Sequence, residues 1–310
     1  MSISKIKQTV PKGFDDPIAL PRSADQAKEW QEANRSWWEN HPMRYDFTEA
    51  VEIREFTADF YREIDQRFFR DMASLWPYKS IPFDNIIDFE SLADKDVLEI
   101  GVGMGSHAQL IAPRSRSFAG IDLTSYAIKG TTERMQLFGL DAPNVRIVRM
   151  DAENLEFADS SFDFVWSWGV IHHSADTRRI LHEIHRVLRP GGRATTMVYH
   201  RNWWNFYIYS GFFGGVMKRH LFKTRSLHEV RQAEIDGAIA RFYSISEWEK
   251  LVSEFFTVED VLILGSKTEL IPLPGGRLKN AALSCVPDAL GRFFTNRCRL
   301  GTFLVSTFRK

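Results

Sequence analysis

The chain is 310 residues long, with 44% hydrophobic and 13% aromatic residues, which suits one large domain or a domain with appendages. Forty Lys plus Arg balance forty Asp plus Glu, so charge gives no case for nucleic acid as a partner. The two cysteines, Cys285 and Cys298, have no histidine nearby to complete a zinc pattern; they read as reduced structural thiols, and no metal site is expected.

Residues 1–20 are polar and proline-punctuated, a loose arm without the apolar run of a secretory signal. Over 24–76, Trp30, Trp37 and Trp38, then Phe56, Phe60 and Ile64, recur at helical spacing, with breaks at Pro42 and Pro77. The pattern then alternates: strand 96–101, helix 105–113, strand 117–122, helix 124–138, strands 145–149 and 163–168, helix 177–188, strand 193–199. Residues 201–243 are aromatic and basic with no strand signal. Ser244 and Glu247 have capping-box spacing and open a helix. A strand at 258–264, a loop with Pro272, Pro274, Gly275 and Gly276, and a last strand at 301–308 follow. The alternation predicts an α/β fold with a doubly wound, mostly parallel sheet of seven strands, an N-terminal helical extension and a helical insertion after the fifth strand. The expected division is 1–90 (arm and helical lid), 91–200 (core), 201–243 (substrate cap) and 244–310 (rest of the core sheet). The longest apolar-aromatic run, 203–216, is too short and too polar to span a bilayer, which takes ~20 apolar residues. A cytoplasmic location is therefore expected.

The most informative stretch is DVLEIGVGMG at 96–105. An apolar strand runs into Gly101, Gly103 and Gly105, and a helix opens after them, an arrangement that brings backbone N–H groups close to a ligand. The spacing is G-x-G-x-G rather than the G-x-G-x-x-G of dinucleotide sites, and Glu99 sits two residues before the first glycine. Asp122 ends the next strand about twenty residues on, where an acid can accept from ribose hydroxyls. A nucleoside is expected, without need of a pyrophosphate.

Four segments in order, 96–105, GIDLT at 120–124, MDAENLEFADSSFDFVWSWGVIHHSAD at 150–176 and LHEIHRVLRPGGR at 181–193, resemble the class I S-adenosylmethionine-dependent methyltransferases of the small-molecule type, related to the ubiquinone and menaquinone biosynthetic methylases. The resemblance implies the Rossmann-like methyltransferase fold with an antiparallel last strand, and S-adenosyl-L-methionine as cofactor. It implies that Gly101, Gly103 and Gly105 approach the cofactor and that Glu99 holds its methionine moiety. Asp122 and Leu123 would meet the ribose, Asp151 and Ala152 the adenine, and the backbone at Ser167 and Trp168 the ammonium group. Tyr45 would lie near the cofactor carboxylate on a lid. Methyl transfer from a sulfonium is an in-line displacement, so alignment supplies much of the acceleration. A hydroxyl or acidic carbon must also lose a proton, and His172 and His173, in the loop after the fourth strand, are the candidate bases.

Specificity is expected from the additions. Trp37, Trp38, Tyr45 and Phe47 form one aromatic group; Tyr199, Trp203, Trp204 and Tyr207 begin a second. Residues 199–231 carry six cations (Arg201, Lys218, Arg219, Lys223, Arg225, Arg231) and one acid, Glu229. That composition suits a bulky, partly apolar small-molecule acceptor, or a peripheral contact with anionic lipid through 201–231. DNA is excluded as substrate. No Asn/Asp-Pro-Pro-aromatic motif follows the fourth strand, where Ser167-Trp168-Gly169-Val170 stands, and no cysteine lies in the core. RNA has only the basic insertion in its favour. The alternatives to a small-molecule enzyme are an RNA methyltransferase and a protein that binds the cofactor without transfer. Nothing in the sequence marks an oligomeric state.

Overall fold

The computed structural model describes residues 10–46, 51–217, 226–233, 235–271 and 276–310. Phe47, Lys218, Arg219, Lys223, Arg225, Pro272, Pro274 and Gly275, which figure in the expectations above, lie outside the described residues.

Two helices come first, α1 (Ala24–Asn40) and α2 (Ala58–Leu75), opened by Ser23 and Thr57, whose hydroxyls accept from the N–H groups of Gln26 and Phe60. The core runs β1 (Asp96–Ile100), α3 (Ala108–Ile111), β2 (Ser117–Asp122), α4 (Ser125–Leu137), β3 (Val145–Arg149), β4 (Phe162–Trp168), α5 (Thr177–Val187) and β5 (Leu188–His200). A wide π-type helix over Trp203–Met217 follows, then α6 (Leu227–Gln232), β6 (Phe242–Tyr243), α7 (Ile245–Val252), β7 (Thr257–Leu264), α8 (Arg277–Ser284), α9 (Asp288–Arg292) and β8 (Phe303–Arg309).

The sheet order is β3-β2-β1-β4-β5-β8-β7, with β6 pairing β5 off that path. Pairing is parallel from β3 through β5, and β8 lies antiparallel to both β5 and β7. The sheet therefore has eight strands rather than the seven expected. The extra one is the two-residue β6, too short to carry an alternating pattern. It exists because Tyr199 and His200 at the end of β5 offer a partner edge to Phe242 and Tyr243. The capping box at Ser244 then opens α7 as its spacing predicts. The helix after the glycine turn is shorter than the pattern suggests, passing into a tighter turn at Ala112–Arg114 that contains Pro113.

Both faces of the central strands are covered. Leu98, Ile100 and Val165 pack with Ile180, Leu181, Ile184 and Val187 of α5. Val97, Phe118, Phe164 and Trp166 face the other way, onto Phe68 of α2 and onto Phe83 and Phe89. Period-two alternation puts Glu99 on this second face, with Val97. Asp65 of α2 ties the N-terminal extension to the core, accepting from Ser106, Gln109 and the fully buried Arg134 of α4. β1 pairs with β2 on one side and β4 on the other, so the chain reverses its direction of travel across the sheet there. In open α/β sheets ligands bind beyond the carboxyl ends of the strands at that reversal.

Candidate cofactor and acceptor site

A cavity of about 700 Å³ occupies that position, within the roughly 300–1,000 Å³ typical of small-molecule sites. Its walls come from the ends of β1, β2, β4 and β5, from α1 and α2, and from the 266–269 turn. It is one continuous space whose lining is polar at the ends of β1 and β2 and apolar toward α2, β5 and β8.

Gly101, Gly103, Asp122, Leu123, Asp151 and Ala152 line the cavity at the strand ends. Gly101, Gly103 and Gly105 all have positive φ, but their surroundings differ. A Cβ on Gly103 would meet nothing within 4 Å, so the backbone there is open to a ligand. A Cβ on Gly105 would press on Arg134 and Thr131 at 3.1 and 3.2 Å, and Gly105 does not reach the cavity. Its lack of a side chain serves the close packing of α4, and of the three expected glycines it is the one outside the cavity lining. Asp122 Oδ1 accepts from the N–H and hydroxyl of Thr124, and Oδ2 accepts from the Gly103 N–H at 3.2 Å. Burial pushes its carboxyl up. Asp151 Oδ1 accepts from Gln31 Nε2 of α1 at 2.8 Å, and Gln31 Oε1 accepts from the Ala175 N–H. Gln31 thereby closes α1 over this end of the cavity, a contact that nothing in the local sequence marks.

Glu99 stands one layer behind the wall. It is 1% exposed, and neither carboxylate oxygen has a hydrogen-bond partner. Burial, reinforced by the Asp122 charge, pushes its carboxyl well up, so it is held neutral. His107 Nδ1 lies 3.8 Å away, and burial pushes this imidazole down to about 3, so the contact joins two neutral groups. His107 lines the cavity and its Nε2 is unpartnered. It was not anticipated; its position directly after the glycine turn is the signal that could have found it. Ser167 is also behind the wall, where its hydroxyl donates to the Ile100 carbonyl and joins β4 to β1.

Much of the cavity wall is apolar. Phe68, Met72, Leu75, Trp168, Met197 and Phe303 line it, as do Tyr45, Trp38, Tyr199 and His173, with Asp236 and Glu269 among the polar groups. Tyr45, at φ 54°, stacks on Phe68 with ring centroids 4.7 Å apart. Trp168 lies parallel to Trp166 at 5.5 Å and meets Phe83 edge-on at 4.9 Å. His173 Nδ1 is 2.6 Å from the Ile239 carbonyl, so this nitrogen carries the proton and Nε2 is the basic one. Burial pushes His173 down to about 4, leaving it neutral at ordinary pH. Asp236 and Glu269 were not anticipated either; burial pushes both carboxyls up, Glu269 to about 7.

Several expected residues do not reach the cavity. His172 is fully enclosed, with neither ring nitrogen in hydrogen-bond geometry although the Met197 backbone lies beside it. Trp37 is half-buried, edge-on to Trp38 and against the His41 ring. Trp204 donates its indole N–H to the Glu269 carbonyl, while Trp203 and Tyr207 are 59% and 51% exposed. The insertion turns these rings away from the cavity.

The cavity fits S-adenosylmethionine: the Gly103 backbone is open, Asp122 and Asp151 stand beyond strand ends, and the buried His107 Nε2 on the wall is unpartnered. Residues 98–196 match the family model described as a methyltransferase domain. A phthiotriol/phenolphthiotriol dimycocerosates methyltransferase of Mycobacterium tuberculosis is 43% identical over 103 residues, which are 33% of this chain and 36% of that protein. The match thus spans about a third of that curated relative. In fold, the chain is similar to a geranyl diphosphate C-methyltransferase from Streptomyces coelicolor, solved with S-adenosyl-L-homocysteine. That likeness has a TM-score of 0.57 at 14% identity and covers 93% of this chain and 99% of that one. The [4+2]-cyclase SpnF is similar over 95% of this chain and 98% of its own, with a TM-score of 0.51 at 14% identity.

Proposed function

We propose that this chain, whose residues 98–196 match a methyltransferase domain, is a class I S-adenosylmethionine-dependent enzyme that moves a methyl group to a bulky, partly apolar small molecule. The observation that carries this reading is a single cavity lined by the open Gly103 backbone and Asp122, by the apolar side chains of Trp168, Met197 and Phe303, and by His173. S-adenosylmethionine, when bound, supplies an electrophilic methyl on sulfur. Asp122 and Asp151 would hold its nucleoside, and the 101–103 turn would face its methionine moiety. Trp168, Met197 and Phe303 would align the acceptor, and their exclusion of water strengthens polar contacts inside the cavity. His173 Nε2 would take the proton from an acceptor hydroxyl or acidic carbon. A quinone-like, lipid-like, glycan or secondary-metabolite acceptor fits a cavity of this lining, and a cytoplasmic site of action belongs to the same reading.

The test pairs calorimetry of S-adenosylhomocysteine binding with transfer of labelled methyl into cell extract split into organic and aqueous phases. Binding together with label in the organic phase, both diminished in Asp122→Asn, is the expected result. Losing the charge and one of the two acceptor oxygens should weaken binding roughly 10-fold to 100-fold. Binding without label in either phase, with acceptor-rich extract, would favour a binding protein without transfer, a reading to which the cyclase fold likeness lends some weight.

A further inference from the structure

The described surface carries an uneven distribution of apolar side chains. Of fourteen large hydrophobic residues exposed among the described residues, nine lie in two stretches, 203–216 and 278–294. Trp203, Tyr207 and Phe212 represent the first; Leu278, Phe293 and Phe294 the second, with Leu278 84% exposed. The stretches are far apart in sequence but grip the same turn. Trp204 of the first donates to the Glu269 carbonyl, and Asn205 Nδ2 donates to Glu269 Oε2 at 3.4 Å. In the second, Asp288 pairs with Lys267 at 2.9 Å and Gly291 packs directly on Lys267. The inner side of that turn, through Ser266, Thr268 and Glu269, lines the cavity.

Charge follows the aromatics. The chain as a whole is neutral, yet 277–299 holds five cations and one acid, and that acid, Asp288, is already paired with Lys267. Arg277, Arg297 and Arg299 are exposed. Exposed aromatic rings interleaved with arginines match the boundary between acyl chains and anionic headgroups. The first stretch is itself followed by further cations in sequence, up to Arg231.

We propose that residues 203–216 and 277–299 form one docking face for an anionic lipid bilayer, beside the wall of the cavity. The face stands on exposure and charge; its use in delivering an apolar acceptor rests on the methyl-transfer reading.

The test is flotation of the full chain with phosphatidylglycerol-containing vesicles against vesicles of phosphatidylcholine alone. Partition should favour the anionic vesicles about tenfold or more and fall with added salt. Two double variants separate the contributions, Arg297→Glu with Arg299→Glu and Phe293→Ser with Phe294→Ser. Each should lower partition at least about tenfold while S-adenosylhomocysteine binding, measured on the same samples, stays unchanged. Equal partition onto both vesicles, no partition, or partition indifferent to both variants overturns the docking face. Self-association removed by the Phe variant, without vesicle binding, also overturns it and assigns the face to a second copy. Cofactor binding and transfer without vesicle binding would sink the face alone; vesicle binding without cofactor binding would sink the transfer reading alone.

Discussion

His172 and His173 are indistinguishable in sequence, and their placement separates them. His173 Nδ1 is tied to the Ile239 carbonyl and the ring lines the cavity, whereas His172 is sealed behind it. Gly237, at φ +91°, makes the arrangement possible, because a Cβ there would lie 2.5 Å from His173 Nδ1. Asparagine at 173 can keep a donor toward Ile239 while removing the basic nitrogen. His173→Asn should therefore lower kcat by ~10²–10⁴-fold with S-adenosylhomocysteine affinity nearly unchanged, as single-turnover kinetics and calorimetry would report. A drop of less than about threefold would remove His173 from the proton-transfer role. With its pKa near 4 the imidazole is already basic at pH 5, so kcat/KM should show no His173 limb between pH 5 and 8 and should fall only on approach to pH 4. The sequence could not make this separation, since the deciding partner stands 66 positions away in a segment without a pattern.

At the scale of elements the glycine turn divides into two jobs. Gly103 faces open space at φ +52°, and Gly105 faces Arg134 and Thr131 at φ +78°. An alanine at either site carries a left-handed backbone cost of about 1–2 kcal/mol. Gly103→Ala should lose little more stability than that, yet lower S-adenosylhomocysteine affinity by about tenfold or more, because the new methyl fills the open backbone face. Gly105→Ala should destabilise further, by a few kcal/mol in all, as its Cβ pushes on a fully buried arginine. The cofactor affinity of whatever fraction folds should change less. Thermal melts with and without S-adenosylhomocysteine measure both; equal stability losses with equal affinity losses would refute the division. The repeating elements of this core were legible because periodicity and glycine punctuation are local. The seven longer strands and the helix opened at Ser244 follow from such signals. The Gln31 bridge from α1 to Asp151, the two-residue β6 and the outward turn of Trp203 and Tyr207 depend on contacts between distant segments. No window of residues displays those.

Across the whole molecule, buried ionisable groups set opposing responses to pH. Burial pushes Glu153 and Glu269 up to about 7, so both are protonated in the folded chain where the unfolded chain, near 4.5, has released them. Each contributes stability that is present below pH 4.5 and lost as pH rises toward 7. Burial pushes His173 down to about 4 and His107 to about 3, so both stay neutral when folded but charge near 6.5 when unfolded. They contribute stability that is present above pH 6.5 and lost as pH falls through about 4 to 3. Between pH 5 and 6.5 these two carboxyls and two imidazoles thus act with opposite slopes. Below about pH 4.5 the carboxyls no longer differ between the states and the imidazoles prevail, so the melting temperature should fall. Glu153, which accepts from the Asp176 N–H, offers the cleanest test because it lies outside the cavity. Glu153→Gln removes one downward slope and should make the melting temperature rise relative to that of the parent protein between pH 5 and 7, by roughly 5 °C. Calorimetric melts at half-unit steps decide it. A variant curve parallel to that of the parent protein would mean that Glu153 is ionised when folded, and that burial does not govern its charge.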